Sequence, residues 1–163
     1  MSVLNTSRCC IEHFSKCDIP HAVRLFTDGK VRKYLGGTIN NAAAIEKLNK
    51  WCVSDDDVYF SVKLCDGTFI GIITVGDYYN DIDKEISYMF LPEFWGNGYA
   101  FESISCVASY CGKLMKLERL IAETQAVNTA SCRLLEKLGY VLSEQVTRYG
   151  EVQNVYVYDF VRK

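Results

Sequence analysis

The segment Glu93-Phe-Trp-Gly96-Asn-Gly98-Tyr-Ala100 joins an apolar, strand-like run to the start of a long helical pattern. Two glycines in such a turn let the backbone take positive φ and bring its N–H groups close to a ligand. The helix that follows adds unpaired donors and the positive end of its dipole, so the segment reads as an anion site of the kind that holds a pyrophosphate. Two common phosphate loops do not fit. The third glycine of Gly-x-Gly-x-x-Gly would fall on Phe101, and no Gly-Lys-Ser/Thr follows. A strand-to-helix turn that merely requires glycine is the plainer reading of the same residues.

A second set, His13, Cys17 and His21, is spaced four and four and would line one face of a continuous helix, where it could hold a metal. Pro20 interrupts such a helix, and His13 closes what reads as a strand. Eight cysteines stand at positions 9, 10, 17, 52, 65, 106, 111 and 132, with no Cys-x-x-Cys pair among them. The common zinc and thioredoxin-like patterns are therefore missing. A chain of this size does not need a disulfide frame, so buried free thiols and no metal are the expectation.

These residues sit in a chain of 163, the length of one domain spanning 1–163. A chain near this size buries roughly 70% of the surface its unfolded form exposes, enough for a proper core. Hydrophobic residues make up 49% and charged residues 23%, with two prolines, which excludes disorder and low-complexity scaffolds. Eighteen basic against twenty acidic residues give a net charge of -2, no general footprint for nucleic acid. The longest apolar run, Phe69 to Val75, is strand-sized, so no membrane span is expected. The start lacks a basic segment followed by an apolar stretch, so the expectation is a soluble, cytoplasmic protein.

Stepping along the chain, Arg8–Phe14 reads as a short strand and Asp18-Ile-Pro20 as a helix start, with Asp18 as cap. Helical stretches follow to about Phe26, around Val31 and Tyr34, and over Ala44, Ile45, Leu48 and Cys52. Val58 to Leu64 alternates as a half-buried strand, and Asp66-Gly67 signals a tight type I′ turn into a second strand, Phe69–Val75. A third strand runs from Lys84 to Leu91. Phe101, Ile104, Ala108, Cys111 and Met115 mark a long helix, then Leu120–Glu123 a strand, then a helix from Asn128 to a stop at Gly139. Strands Tyr140–Thr147 and Gln153–Val161 flank a turn at Tyr149-Gly150. The last strand is apolar on both faces and should be covered on both. The order β-α-α-β-β-β-α-β-α-β-β has no linker and no repeat, and implies an α/β (α+β) fold with about seven strands in one mixed sheet and helices on both faces.

Pro92-Glu-Phe-Trp-Gly-Asn-Gly-Tyr-Ala100 resembles the coenzyme A pyrophosphate loop of the GNAT N-acetyltransferase superfamily, and more closely its ribosomal-protein N-acetyltransferase (RimJ/RimL-like) branch. Val31-Arg-Lys-Tyr-Leu-Gly-Gly37 resembles that branch's N-terminal element. Asn128-x-x-Ser131-x-x-Leu-Leu-Glu-Lys-Leu-Gly-Tyr140 is similar to its second cofactor helix, and Gly150–Tyr158 matches its closing hairpin loosely. Nearly the whole chain is covered, with three separated motifs in the right order.

The resemblance implies acetyl-CoA as co-substrate, held in a wedge where the strand ending at Leu91 and the strand Leu120–Glu123 splay apart at the sheet centre. Backbone groups around Met89, Phe90 and Leu91 would pair with the pantetheine arm. N–H groups of Trp95, Gly96, Asn97, Gly98, Tyr99 and Ala100 would take the pyrophosphate. Asn128 would touch the arm, or simply cap its helix, or both. Transfer is direct, in a ternary complex, so no cysteine needs a catalytic role. Glu85 matches the carboxylate often used as base; its plainer reading is an exposed charge at a strand end. Many superfamily members carry a tyrosine on the second cofactor helix that protonates the thiolate, where this chain has Leu135. Ser131, the branch's suggested donor to that thiolate, follows Asn128 by one turn and can face the same cofactor. Glu93 stands where many members have Gln or Arg, and Asn154 where the hairpin often has Asp.

The acceptor is an amine, arriving as a cation that acidic residues would recruit. Asp77, Asp81 and Asp83, with Tyr78 and Tyr79 among them, lie just before the Glu85 strand and either serve that end or form an ordinary polar loop. A protein N-terminus, an aminoglycoside and a polyamine all remain open as acceptors. So does a non-catalytic domain that holds acyl-CoA without turnover. A homodimer through sheet edges is compatible with such a fold.

Overall fold

The computed structural model describes residues 4–162; the start of the chain, read above for a leader, begins with three residues outside that range. Among the described residues, eight strands form one sheet in the order β1-β2-β3-β4-β5-β6-β8-β7. They are β1 (Leu4–Asn5), β2 (Cys9–His13), β3 (Val58–Leu64), β4 (Phe69–Asp77), β5 (Lys84–Phe90), β6 (Arg119–Gln125), β7 (Val141–Arg148) and β8 (Glu151–Asp159). The helices are α1 (Ile19–Thr27), α2 (Gly29–Arg32), α3 (Asn41–Trp51), α4 (Tyr99–Lys113) and α5 (Thr129–Lys137). The expected single mixed sheet is present, with one more strand than the seven expected. That extra strand, β1, has two residues, too few to carry a period of two.

Helices cover both faces. On one side α4 and α5 bury Ile104, Val107, Ala108 and Leu135 against Ile86, Phe90, Leu120 and Tyr156 of the sheet. On the other, α1 and α3 bury Leu25, Phe26, Ala44 and Leu48 against Phe69, Ile72 and Leu91. The doubly apolar last strand behaves as its pattern requires: Tyr156 meets the α4/α5 layer, and Val155 packs with Tyr78 and Ile121 opposite.

Local chemistry departs from expectation at three places. Asp18 does precede α1, but its carboxylate makes no cap bond to that helix. It accepts instead from the Ser15 N–H (2.9 Å) and pairs with Lys63 (2.9 Å), which also reaches Glu12. At Asp66-Gly67 only the glycine has positive φ, +89°, so the turn is not type I′. The two positive φ values of that turn type occur at Tyr149-Gly150, +55° and +78°. The thiols are free, yet Cys17 and Cys65 are exposed while Cys9, Cys111 and Cys132 are buried. His13, Cys17 and His21 stand on a strand end, a short turn and α1, and the two rings stack on Phe60 and Phe69.

Gly71 is where β4 lets β5 lie close. A Cβ there would sit 2.5 Å from the Met89 carbonyl oxygen and 2.6 Å from the Phe90 ring. Overpacking of this kind costs about 1–3 kcal/mol, and each kcal/mol lowers Tm by about 2–4 °C at this size. Gly71→Ala should therefore melt several degrees below wild type in a thermal scan. Gly29→Ala, at a position with nothing within 4 Å, should not.

Candidate active site

β5 and β6 are the sheet's parallel neighbours, and they pair only at Lys84↔Leu120 and Glu85↔Ile121. Beyond Glu85 the two strands part, while β4 holds β5 and β8 holds β6 along their other edges. The Leu91 N–H donates to the Ile70 carbonyl of β4 at 2.9 Å, and the Leu91 carbonyl accepts from the Phe94 N–H at 3.0 Å. By strand alternation Met89 turns toward β4 as the Leu91 N–H does, and the main chains of Phe90 and Tyr88 face the gap. Of the three residues expected to offer backbone there, Met89 and Leu91 are thus engaged elsewhere, and Tyr88 joins Phe90 instead.

The turn after β5 closes one end of this gap. Gly96 and Gly98 have φ of +74° and +81°, and α4 begins at Tyr99. No atom lies within 4 Å of where a Cβ at Gly96 would be, so the backbone there is open to a ligand. Glu102 makes the first helical N–H bond, to the Gly98 carbonyl (3.0 Å), and the N–H groups of Tyr99, Ala100 and Phe101 precede it as first-turn donors. The Trp95 N–H already donates to the Pro92 carbonyl (3.1 Å), which removes it from the expected donor set. Trp95 contributes its indole N–H instead, given to the Phe90 carbonyl at 2.8 Å.

Arg8 braces the turn from outside. Its Nη1 donates to the Asn97 carbonyl (2.9 Å), its Nε to Glu102 (2.7 Å), and its guanidinium lies 4.6 Å over the Tyr99 ring. Burial opposes the charge on Glu102, but hydrogen bonds from Thr6, Arg8 and Ser7 overcome it and hold that carboxyl at about 2. Glu93 pairs with Arg24 and ties α1 to the same turn.

Glu85 stands at the mouth of the gap. Burial, and then the charge of Glu123, push its carboxyl up to about 7, against partial relief from the Glu123 N–H and Arg148. Glu123 in turn accepts from the Tyr78 hydroxyl (3.0 Å) and pairs with Arg148 (3.1 Å). Arg148 lies 3.9 Å over the Tyr79 ring, whose hydroxyl meets that of Tyr149. Of the acidic loop, Asp83 is buried against Arg119 (2.5 Å) and Asp77 pairs with Lys84 (2.6 Å). Those two carboxylates hold the loop, and its tyrosines line the site.

Across the gap, Asn128 Oδ1 accepts from the Ser131 N–H (3.3 Å), and the Ser131 hydroxyl meets the Tyr88 hydroxyl at 2.8 Å. Sequence reasoning missed Tyr88, Glu123, Arg148 and Arg8. Tyr88 reads as an ordinary apolar strand position, and the partners of the others lie 25 or more residues away along the chain.

Residues 8–141 match the acetyltransferase (GNAT) domain family. The chain belongs to the GNAT acetyltransferase family. It is 31% identical over 140 residues to YnaD, an uncharacterized N-acetyltransferase of Bacillus subtilis, covering 83% of this chain and 81% of that one. A GNAT-family acetyltransferase structure from Bacillus anthracis superposes with a TM-score of 0.86 at 26% identity, covering 96% and 97% of the two chains. The spermidine N-acetyltransferase of Vibrio cholerae, solved with CoA and spermine, shares the fold at 16% identity, with a TM-score of 0.82 and coverage of 94% and 96%.

As a GNAT member this is an acetyl-CoA-dependent N-acetyltransferase. The residues present fit the coenzyme: an open, glycine-lined turn at a helix N-terminus beside a gap between parallel strands. Two departures from the superfamily pattern now have a structural account. Leu135 is buried in the α4/α5 core, so no polar group replaces the tyrosine there. Asn154 faces α5, donating to Cys132 Sγ (3.5 Å) and accepting from Gln145 (2.8 Å), and is a packing residue beneath that helix.

The raised Glu85 carboxyl carries a stability signature. The folded state holds that proton more tightly than the unfolded chain, so the contribution is full below pH about 4.5 and is lost as pH rises through about 7. Glu85→Gln removes the loss. The Tm difference, variant minus wild type, should be larger at pH 8 than at pH 5 in parallel melts; equal differences would show that Glu85 does not titrate in this window.

Proposed function

We propose that the enzyme acetylates an α-amine, such as a peptide N-terminus, by direct attack on acetyl-CoA in a ternary complex, with Glu85 as the base. The observation that carries this is the Glu85 carboxyl, pushed to about 7 at the point where β5 and β6 part. An α-amine titrates at about 7.7–8.0, within roughly one unit of that base, whereas a lysine-like amine at about 10.4 lies more than three units above it. Backbone N–H groups from Gly96 to Ala100 hold the pyrophosphate, and the Tyr88 main chain and the Phe90 N–H meet the pantetheine arm. Asn128 caps α5 and faces the same arm, and Ser131 faces the thioester sulfur.

A polyamine is the second reading, supported by the fold shared with spermidine N-acetyltransferases. Two neighbouring carboxylates, Glu85 and Glu123, would suit a polycation, but Arg148 on Glu123 offsets that charge. We further place the chain in the RimJ/RimL-like branch, on its Trp95–Ala100 turn and on Ser131 paired with Leu135. No described helix is long and apolar enough to cross a membrane, and a cytoplasmic location suits a chain with this co-substrate. The outer sheet edge, β7, exposes Val141 and Leu142 and would be the seam of a homodimer. Light scattering should then give twice the mass of one chain, reduced by Leu142→Lys.

The acceptor test uses acetyl-CoA with a short peptide bearing a free N-terminus, the same peptide N-blocked but carrying a lysine, spermidine, and an aminoglycoside, read by product mass. The free N-terminal peptide should be preferred, with kcat/KM rising to a plateau above pH about 7–8. Glu85→Gln should lower kcat about 100-fold and leave CoA affinity unchanged. Preference for spermidine or the lysine peptide would overturn the α-amine reading.

A further inference from the structure

Tyr88 lies on β5 beyond the last residue paired with β6, and its side chain packs into the α4/α5 layer. There its hydroxyl stands 2.8 Å from Ser131 Oγ, the group placed above at the thioester sulfur. The Ser131 backbone is fixed by its N–H bond to Asn128 Oδ1. Its hydroxyl, however, carries one proton on a free rotor. If Ser131 donated to Tyr88, that proton would point into the layer of Leu135 and Cys132, and the phenol would need a second acceptor there. If Tyr88 donates, the Ser131 proton is turned away from Tyr88 and toward the gap. Burial pushes the Tyr88 phenol up to about 12, so it keeps its proton and can donate across the working pH range. Cys132 and Tyr140 are the titratable neighbours it faces; no carboxylate or amine is among them.

We propose that Tyr88 is a positioning residue: by donating its phenolic proton to Ser131 Oγ it aims the Ser131 hydroxyl at the sulfur that leaves during acetyl transfer. This rests on the acetyl-CoA reading of the gap. In the transfer, a C–N bond forms and the C–S bond breaks; sulfur keeps the electron pair, and the amine proton goes to Glu85. Ser131 and Tyr88 keep their own protons, because both hydroxyls hold them more tightly than a thiol, with its pKa of about 8.5, does. The pair therefore stabilises the thiolate by a charge-assisted hydrogen bond and does not protonate it. The thiolate takes its proton from water on release. With Leu135 apolar and buried, the strand tyrosine supports the sulfur through Ser131.

The test needs no acceptor. CoA and desulfo-CoA, which lacks the sulfur, are titrated calorimetrically into wild type, Tyr88→Phe, Ser131→Ala and the double variant at pH 7 and pH 9. A single charge-assisted bond lowers the bound thiol by about one unit, so the wild-type preference for CoA should grow on the order of fivefold between the two pH values. Tyr88→Phe and Ser131→Ala should each abolish that growth while leaving desulfo-CoA affinity within about twofold, and the double variant should lose nothing more. Growth that survives in Tyr88→Phe but not in Ser131→Ala would overturn the positioning role and leave Tyr88 a packing residue. A wild type that binds both ligands alike at both pH values would overturn the thiolate contact while sparing the coenzyme site. Failure to bind either ligand would overturn the coenzyme reading itself.

Discussion

The parting of β5 and β6 after Glu85↔Ile121 leaves backbone donors and acceptors inside a sheet without the partners that strands normally supply. A buried polar group left unsatisfied costs about 1–3 kcal/mol, so the wedge persists only because each strand is held along its other edge. Some of the debt is settled locally, by the Trp95 indole on the Phe90 carbonyl and by the Glu85 carboxylate on the Glu123 N–H. What remains faces the gap, and it is this remainder that suits an extended, amide-bearing ligand. Parallel neighbours also require a long crossover. Here that crossover is α4, whose N-terminus lies at the wide end of the wedge.

Two carboxylates at opposite ends of this arrangement show how environment divides one chemistry into two uses. Glu102 gathers donors from Thr6, Ser7 and Arg8 and is locked as an anion that shapes the turn. Glu85 has few donors and a neighbouring negative charge, and is left near neutrality in its proton balance. The exposed Arg24–Glu93 pair near the same turn carries little energy, at most about 1 kcal/mol. Its place is geometric: it keeps α1 against the segment that must stay open.

The element order was legible because most segments are long enough for their period to speak. Val58–Leu64 and the Tyr99–Lys113 helix declare themselves, whereas two residues at Leu4–Asn5 cannot. The glycine turn was legible as a site because its backbone requirement is local. Which of its N–H groups are free was not, since the Trp95 N–H is occupied by a 3-10 turn that the sequence does not announce. Tyr88 was hidden for a different reason. On a strand whose neighbours Ile86 and Phe90 are core, a tyrosine on the same face looks like core, and only the approach of α5 brings Ser131 within 2.8 Å. Asp83 misled in the opposite direction: a carboxylate on a polar loop looks available, and its burial against Arg119 depends on a strand 36 residues away.

The Arg8–Glu102 clamp joins the beginning of β2 to the first turn of α4, 94 residues later in the chain. The same guanidinium holds the Asn97 carbonyl, so the conformation of the glycine turn and the docking of the first strands are not independent. Linkage makes such a coupling reciprocal. An anion that orders the turn must also slow the opening of β1 and β2, and a change that frays those strands must weaken the anion's hold. β1 and β2, at one edge of the sheet and remote from the chemistry in sequence, thus become a reporter of occupancy, readable as amide exchange.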